Sequence, residues 1–170
     1  IHSQVMDTPN NAILLDRISK GREVWWYVNH GPARPYGNFF LDFAAIEHRI
    51  LFWQAWALGI KGMHYWAVNA TPSEDDPFSG QLDVTPANGN GFLLYPGADG
   101  PISSIRFETI RDGIEDFDYL ALLIERIRIA ERERPGSAWS DAAAKAMDLK
   151  PVIPDLVTFT RDAPVLESKR

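Results

Sequence analysis

Apolar positions recur along this chain with two different periods, and the switches between them outline the fold. Residues 12–20, AILLDRISK, carry a short helical pattern that Gly21 is placed to stop. Residues 23–28, EVWWYV, are aromatic and β-branched, which predicts a strand covered on both faces. Residues 29–38, NHGPARPYGN, hold two Pro and two Gly and predict a loop. From 39 to 58 the spacing turns helical, with Phe43, Ile46, Ile50, Trp53 and Ala57 on one face and Gly59 as the stop. Residues 62–68, GMHYWAV, predict a second buried strand. Residues 69–90 read as a long loop rich in Pro, Asp and Gly, and residues 91–96, GFLLYP, as a third strand.

Ser103 or Ser104 can cap the next helix, which runs to about residue 133 before Pro135 and Gly136 break it. Its core stripe is expected to be Ile110, Ile114, Phe117, Ala121, Ile124 and the aliphatic stem of Arg128. Gly113 lies beside that stripe, where a missing side chain permits close approach to a sheet. Residues 141–149 predict a last short helix, and residues 156–160 a short strand. Buried strands alternating with long helices predict βαβα units and a parallel sheet. The connections after strands are long and those after helices short, as in barrels whose βα loops build the active site. The expected fold class is therefore α/β, of the (β/α)8 TIM-barrel type with parallel strands and long βα loops.

Composition narrows the functional classes. Hydrophobic residues make up 45% of the 170 positions, enough for a packed core, so disorder is excluded. The formal charge is −6, and the Lys/Arg of residues 126–134 alternate with Glu, so no basic stripe marks a nucleic-acid partner. The absence of cysteine removes disulfides, thiolate catalysis and Cys-ligated zinc. The four His show no metal spacing, and no cofactor motif is present, so neither metal nor cofactor is expected. The longest apolar run, residues 50–60, is broken by Gln54 and falls short of the about 20 residues a membrane span needs. The chain begins at Ile1 rather than Met and reads as a piece of a longer protein, which leaves its compartment open.

Candidate chemistry gathers at the predicted C-terminal ends of the strands. Tyr27, Trp66 and Tyr95 sit there, with Tyr36 in a loop, and such rings offer flat platforms with a polar handle. His30 and Asn69 supply neutral donors and acceptors beside them, whereas Asn88 and Asn90 read as turn residues. Tyr27, His30, Tyr36, Trp66 and Asn69 are the expected substrate contacts. In the long helix, Arg111 and Glu115 attract one turn apart while Glu108 and Asp112 repel, which calls for a further cationic partner, Arg106 or Arg111. Arg106 and Glu108, in the first turn, are placed to support the pocket from behind. Glu74, Asp75 and Asp76 form an acidic run that reads as solvated; catalysis by these acids is a third, weaker reading.

Five segments in this order resemble one family: VWWYVNHGPARPY (24–36), FLDFAAIEHRILFWQAW (40–56), GMHYWAVN (62–69), NGNGFLLYPG (88–97) and GPISSIRFETIRDGIEDFDYL (100–120). They are similar to the C-terminal catalytic region of glycoside hydrolase family 123, also called domain of unknown function 4091, with the likeness running from about residue 23 to 129. The resemblance implies the second half of a (β/α)8 glycosidase barrel. It also implies an exo-acting β-N-acetylgalactosaminidase in which the sugar's own acetamido oxygen attacks the anomeric carbon, a known departure from the two-carboxylate scheme. In the family an Asp orients that group and the adjacent Glu is the acid/base, on a strand upstream of the matched region. No strand-end Asp-Glu pair occurs here, so no catalytic residue is assigned within this chain, and the chain alone is expected to be inactive.

The expected organisation is a lead-in loop and short helix over 1–22, the half-barrel region over 23–134, and a C-terminal extension of the same domain over 135–170. The expected partners are a carbohydrate substrate and the rest of the same polypeptide, or self-association through open barrel edges. A non-catalytic carbohydrate-binding or scaffold module of the same fold is the alternative.

Overall fold

The computed structural model describes residues 2–8, 11–70, 87–134 and 139–169. A short 3-10 helix, Ser3–Asp7, leads into helix α1, Asn11–Ser19. Strand β1, Trp25–Val28, is followed by helix α2, Ala45–Leu58, and strand β2, Gly62–Tyr65. The two predicted glycine stops occur as expected. Gly21 and Gly59 both adopt φ 72°. Each donates back to the residue three earlier, and the next residue donates to the one five earlier (Arg22 N to Arg17 O at 3.0 Å, Ile60 N to Ala55 O at 2.9 Å). This paired pattern consumes the last carbonyls of a helix and suits glycine, which has no Cβ to strain.

β1 and β2 are parallel, with Trp25 opposite Gly62 and Val28 opposite Tyr65. Joined by α2, they form one βαβ unit. Trp26 and Val28 are fully buried against Leu51, Phe52 and Ala55 of α2. The opposite face is different from expectation. Residues 23–28 read as covered on both sides, yet Trp25 is 53% exposed. Trp25 lies over Gly62, its ring 2.6 Å from where a Cβ would sit, and Tyr27 stacks on His64 at 5.2 Å.

Two further strand expectations are corrected. β2 ends at Tyr65, so Trp66 and Val68 stand outside the ladder, 47% and 36% exposed. The segment 91–96 is not a third parallel strand. Only β3, Leu94–Tyr95, is strand, and it pairs antiparallel with β4, Ile102–Ser103. Phe92 and Leu93 are buried, but they cross the end of β2 rather than extend its ladder. Phe92 bridges Asn69 antiparallel, and the amides of Leu93 and Leu94 both reach the Val68 carbonyl. An apolar run reports burial, not hydrogen-bond direction.

Helix α3, Ile105–Glu133, begins at Ser104, whose hydroxyl accepts from Phe107 N at 3.2 Å. Ile110 and Phe117 pack toward the core as expected, but Ile114 is 48% exposed. The buried line of α3 is Arg106, Gly113, Asp116 and Leu120. From Gly113 to Leu120 it is turned toward α2, not toward a sheet. A Cβ on Gly113 would collide with the Phe52 ring, so the missing side chain lets α2 press against the α3 backbone. The expected break at Pro135 and Gly136 lies outside the described residues.

Helix α4, Trp139–Met147, and helix α5, Ala163–Glu167, complete the chain. Residues 156–160 form no strand, because Leu156 and Phe159 are buried as loop residues. Phe159, with Leu149, Val152, Ile153 and Leu166, closes a second apolar cluster over Ile50, Trp53 and Leu120. Gln54 ties the same segment to α2 by donating to Leu156 O at 3.2 Å. The described residues thus form a mixed α/β fold in which helices cover one face of a parallel strand pair.

Candidate functional site

The loop after β1 is held by amides. Asn38 is fully buried and donates from Nδ2 to Asn29 O at 3.1 Å and Pro32 O at 2.9 Å. Asn29 donates from its own Nδ2 to the Tyr27 hydroxyl at 3.1 Å and accepts from Gly31 N at 3.3 Å. The peptides Gly31-Pro32 and Arg34-Pro35 are cis. The fold therefore presents Tyr27 and His30 at the C-terminal end of β1.

The end of β2 supplies Tyr65 and Trp66, and the segment before β3 brings Asn90 against them. Asn90 is 5% exposed. Its Oδ1 accepts from the Tyr65 hydroxyl at 3.2 Å and from Trp66 Nε1 at 3.0 Å. Its Nδ2 lies 3.2 Å from His30 Nδ1. Gly91 donates its amide to the Tyr65 oxygen at 2.6 Å and adopts φ 76°. A Cβ on Gly91 would collide with the Trp66 ring, so glycine serves both the backbone angle and the close approach.

Arg106 holds this arrangement from behind. Its NH1 donates to Phe39 O and Gly89 O, both at 2.8 Å, and its NH2 to Phe92 O. The guanidinium thus bonds main chain on either side of Asn90. Burial pushes its pKa below the ordinary arginine value, opposed by interactions with Tyr95 and Tyr65.

The sequence expectations meet this geometry unevenly. His30 and Trp66 come together through Asn90, whereas Tyr27 is bonded to Asn29 and stacked on His64. Tyr36 instead hydrogen-bonds Asp7; burial first, and then that carboxylate, raise its pKa. Asn69 is exposed and contributes its main-chain bridge to Phe92. Glu108 is bound at its own helix surface, to Ser103 Oγ and to Arg111 at 2.6 Å, so the cation answering the acidic turn is Arg111, not Arg106. The acidic run Glu74, Asp75 and Asp76 lies outside the described residues. Asn90 and Tyr65 were missed. Asn90 stands in the run NGNG, where turn chemistry is the natural reading, and its amide role has no mark in the sequence.

Among the described residues no group of three or more His, Asp or Glu could hold a metal ion. What converges instead is aromatic surface with neutral donors and acceptors. That set suits an uncharged ligand with flat apolar faces and many hydroxyls, which describes a sugar. The class indicated is an α/β carbohydrate-binding or carbohydrate-processing domain. Residues 2–123 match Glycoside hydrolase 123, catalytic domain, and the chain belongs to that family. Membership makes glycoside hydrolysis the reaction class and carbohydrate the substrate class. No curated protein matches the chain. Among the described residues no helix is long and apolar enough to cross a membrane.

Proposed function

We propose that the chain is the C-terminal half of a (β/α)8 barrel and forms one wall of the pocket of an exo-acting β-N-acetylhexosaminidase. N-acetylgalactosamine is the proposed sugar. The observation that carries this reading is the joining of His30, Tyr65 and Trp66 through Asn90 at the C-terminal ends of β1 and β2, the end where barrel enzymes act. Trp66, 47% exposed, serves as the platform for the apolar face of the ring. His30 and Tyr27, with Asn69 at the rim, hold its hydroxyls, and Arg106 supports the wall. The retaining step uses the substrate's own acetamido oxygen, with an Asp-Glu pair from the part of the barrel that precedes this chain.

In the full-length protein, Trp66→Ala should raise KM for an aryl N-acetyl-β-galactosaminide at least tenfold, the worth of roughly 1.4 kcal/mol of lost binding. Unchanged kinetics would remove Trp66 from the site. The absence of a strand-end Asp-Glu pair in this sequence favours a second reading, a carbohydrate-binding module without chemistry. Calorimetric binding of N-acetylgalactosamine by a full-length protein that hydrolyses no aryl glycoside would establish it.

The half-barrel reading also makes a statement about assembly. The face of the β1–β2 pair that carries Trp25, Tyr27 and His64 is where the remaining strands would close the barrel interior. Residues 1–170 produced alone should therefore self-associate through that face. A stable monomer in light scattering would contradict the half-barrel.

A further inference from the structure

Trp66 lies largely outside the core, so its ring needs an anchor to keep one orientation. The hydrogen-bond inventory around Asn90 supplies it. An indole N–H can only donate, so the amide must turn its oxygen toward Trp66 Nε1, 3.0 Å away. The Tyr65 oxygen already accepts from Gly91 N at 2.6 Å, so the Tyr65 proton goes to the same Asn90 oxygen at 3.2 Å. The amide orientation is then fixed, and Nδ2 faces His30, 3.2 Å from Nδ1 and 3.4 Å from Nε2. Nearly equidistant from the two ring nitrogens, Nδ2 sits against the imidazole as a whole rather than on one lone pair, so its N–H dipole packs on the His30 ring. Asn90 cannot drift, because its own amide bonds Ala87 O at 3.0 Å and Arg106 grips the carbonyls of Gly89 and Phe92.

We propose that Asn90 is the positioning residue of the sugar pocket: its single amide sets the plane of Trp66 through Oδ1 and holds the His30 ring against Nδ2, so the two meet the sugar in one orientation. This rests on Trp66 and His30 being sugar contacts. Asn90 acts through them and does not touch the sugar. The amide can be dissected. Asn90→Asp keeps an acceptor for Trp66 and loses the donor to His30, while Asn90→Ala loses both.

The test uses the full-length protein with 15N-labelled tryptophan, the Trp66 indole signal being assigned by its loss in Trp66→Phe. Asn90→Ala should move that signal and speed its exchange with solvent, whereas Asn90→Asp should retain it. In kinetics with an aryl N-acetyl-β-galactosaminide, Asn90→Ala should raise KM at least tenfold with a smaller change in kcat. Added to Trp66→Ala with His30→Ala, it should change KM less than twofold. Multiplying effects in that background would overturn the proposal, as would an unmoved indole signal in a folded Asn90→Ala protein. If Asn90→Ala does not fold, Asn90→Asp decides: a retained signal with raised KM supports the role, and a lost signal or unchanged KM rejects it. If Trp66→Ala leaves turnover untouched, the sugar reading fails, yet the indole signal still reports whether Asn90 positions the ring.

Discussion

Replacing Asp116 by alanine is expected to lower the unfolding free energy by roughly 3–5 kcal/mol. The carboxylate is 1% exposed and serves two partners from α2. Arg49 grips it with both prongs, Nε at 2.5 Å from one oxygen and NH2 at 2.9 Å from the other. Trp53 donates its indole N–H to it at 2.7 Å. The Asp116 hydrogen bond is the main reason that the Arg49 pKa is raised above its ordinary value, against burial. Without Asp116, Arg49 keeps, among the described residues, Glu167, at 2.5 Å and half exposed, and the Trp53 donor is stranded in the apolar cluster. Most of the cost is the buried charge left behind, not the net worth of the pair. Changing Arg49 to Met and Asp116 to Leu together should therefore recover much of the loss. Arg111→Ala, on the solvent side of α3, should stay within about 0.5 kcal/mol. Urea titrations of the four proteins would measure this, and an Asp116→Ala shift no larger than that of Arg111→Ala would refute it.

The second large effect is a loss of stability in acid that is traceable to His48. Its Nε2 donates to Phe40 O at 3.1 Å, while its buried Nδ1 has no hydrogen-bond partner. Charging the ring would place a second N–H there with nothing to receive it. Burial is the main cause of a pKa lowered to about 4; the Phe40 bond opposes it and the Arg106 charge adds to it. In the unfolded chain the ring titrates near 6.5. Between those values the unfolded state binds more protons, so stability rises with pH there. The contribution is complete above about pH 7, declines as pH falls from about 6.5 toward 4, and is gone below that. Its full size is about 3 kcal/mol, because each pH step between the two values withholds about 1.4 kcal/mol. Carboxylates titrate in the same range, so the measurement is a comparison: His48→Gln should lose about 3 kcal/mol less than the unmodified protein between pH 7.5 and 4. Parallel curves for the two proteins would show that His48 charges freely in the fold.

The helices were legible because their ends are written locally. Gly21, Gly59 and Ser104 each mark a backbone angle or an unsatisfied amide within a few residues, and the structure uses all three. The parallel pair was legible from its aromatic and β-branched runs. What escaped depends on distant partners. Asp116 sits in a run of charges with no local mark of burial, and it is Arg49 and Trp53, 67 and 63 positions earlier in the chain, that make it a core residue. The buried line of α3 accordingly runs through Gly113, Asp116 and Leu120, beside the expected stripe through Ile114. Asn90 escaped for the same reason, since its three side-chain partners come from the ends of β1 and β2. The run 91–96 failed differently: its burial was evident, but the direction of its hydrogen bonds is set by Val68 and Asn69.

Arg106 bonds carbonyl oxygens at positions 39, 89 and 92, and no side chain at any of them. Every amino acid carries that acceptor, so the clamp is blind to what those loops display. Positions 39 and 92 give it only their carbonyls, and their phenylalanine side chains are fixed instead by burial in the core, while Gly89, at φ 75° with its missing Cβ against the guanidinium, is held to glycine by the clamp itself. The wall is thereby separated into a frame held by main-chain bonds and core packing and a small set of polar tips, the proposed sugar contacts. A pocket built this way could acquire a new ligand preference by changing its tips while its frame stays as it is.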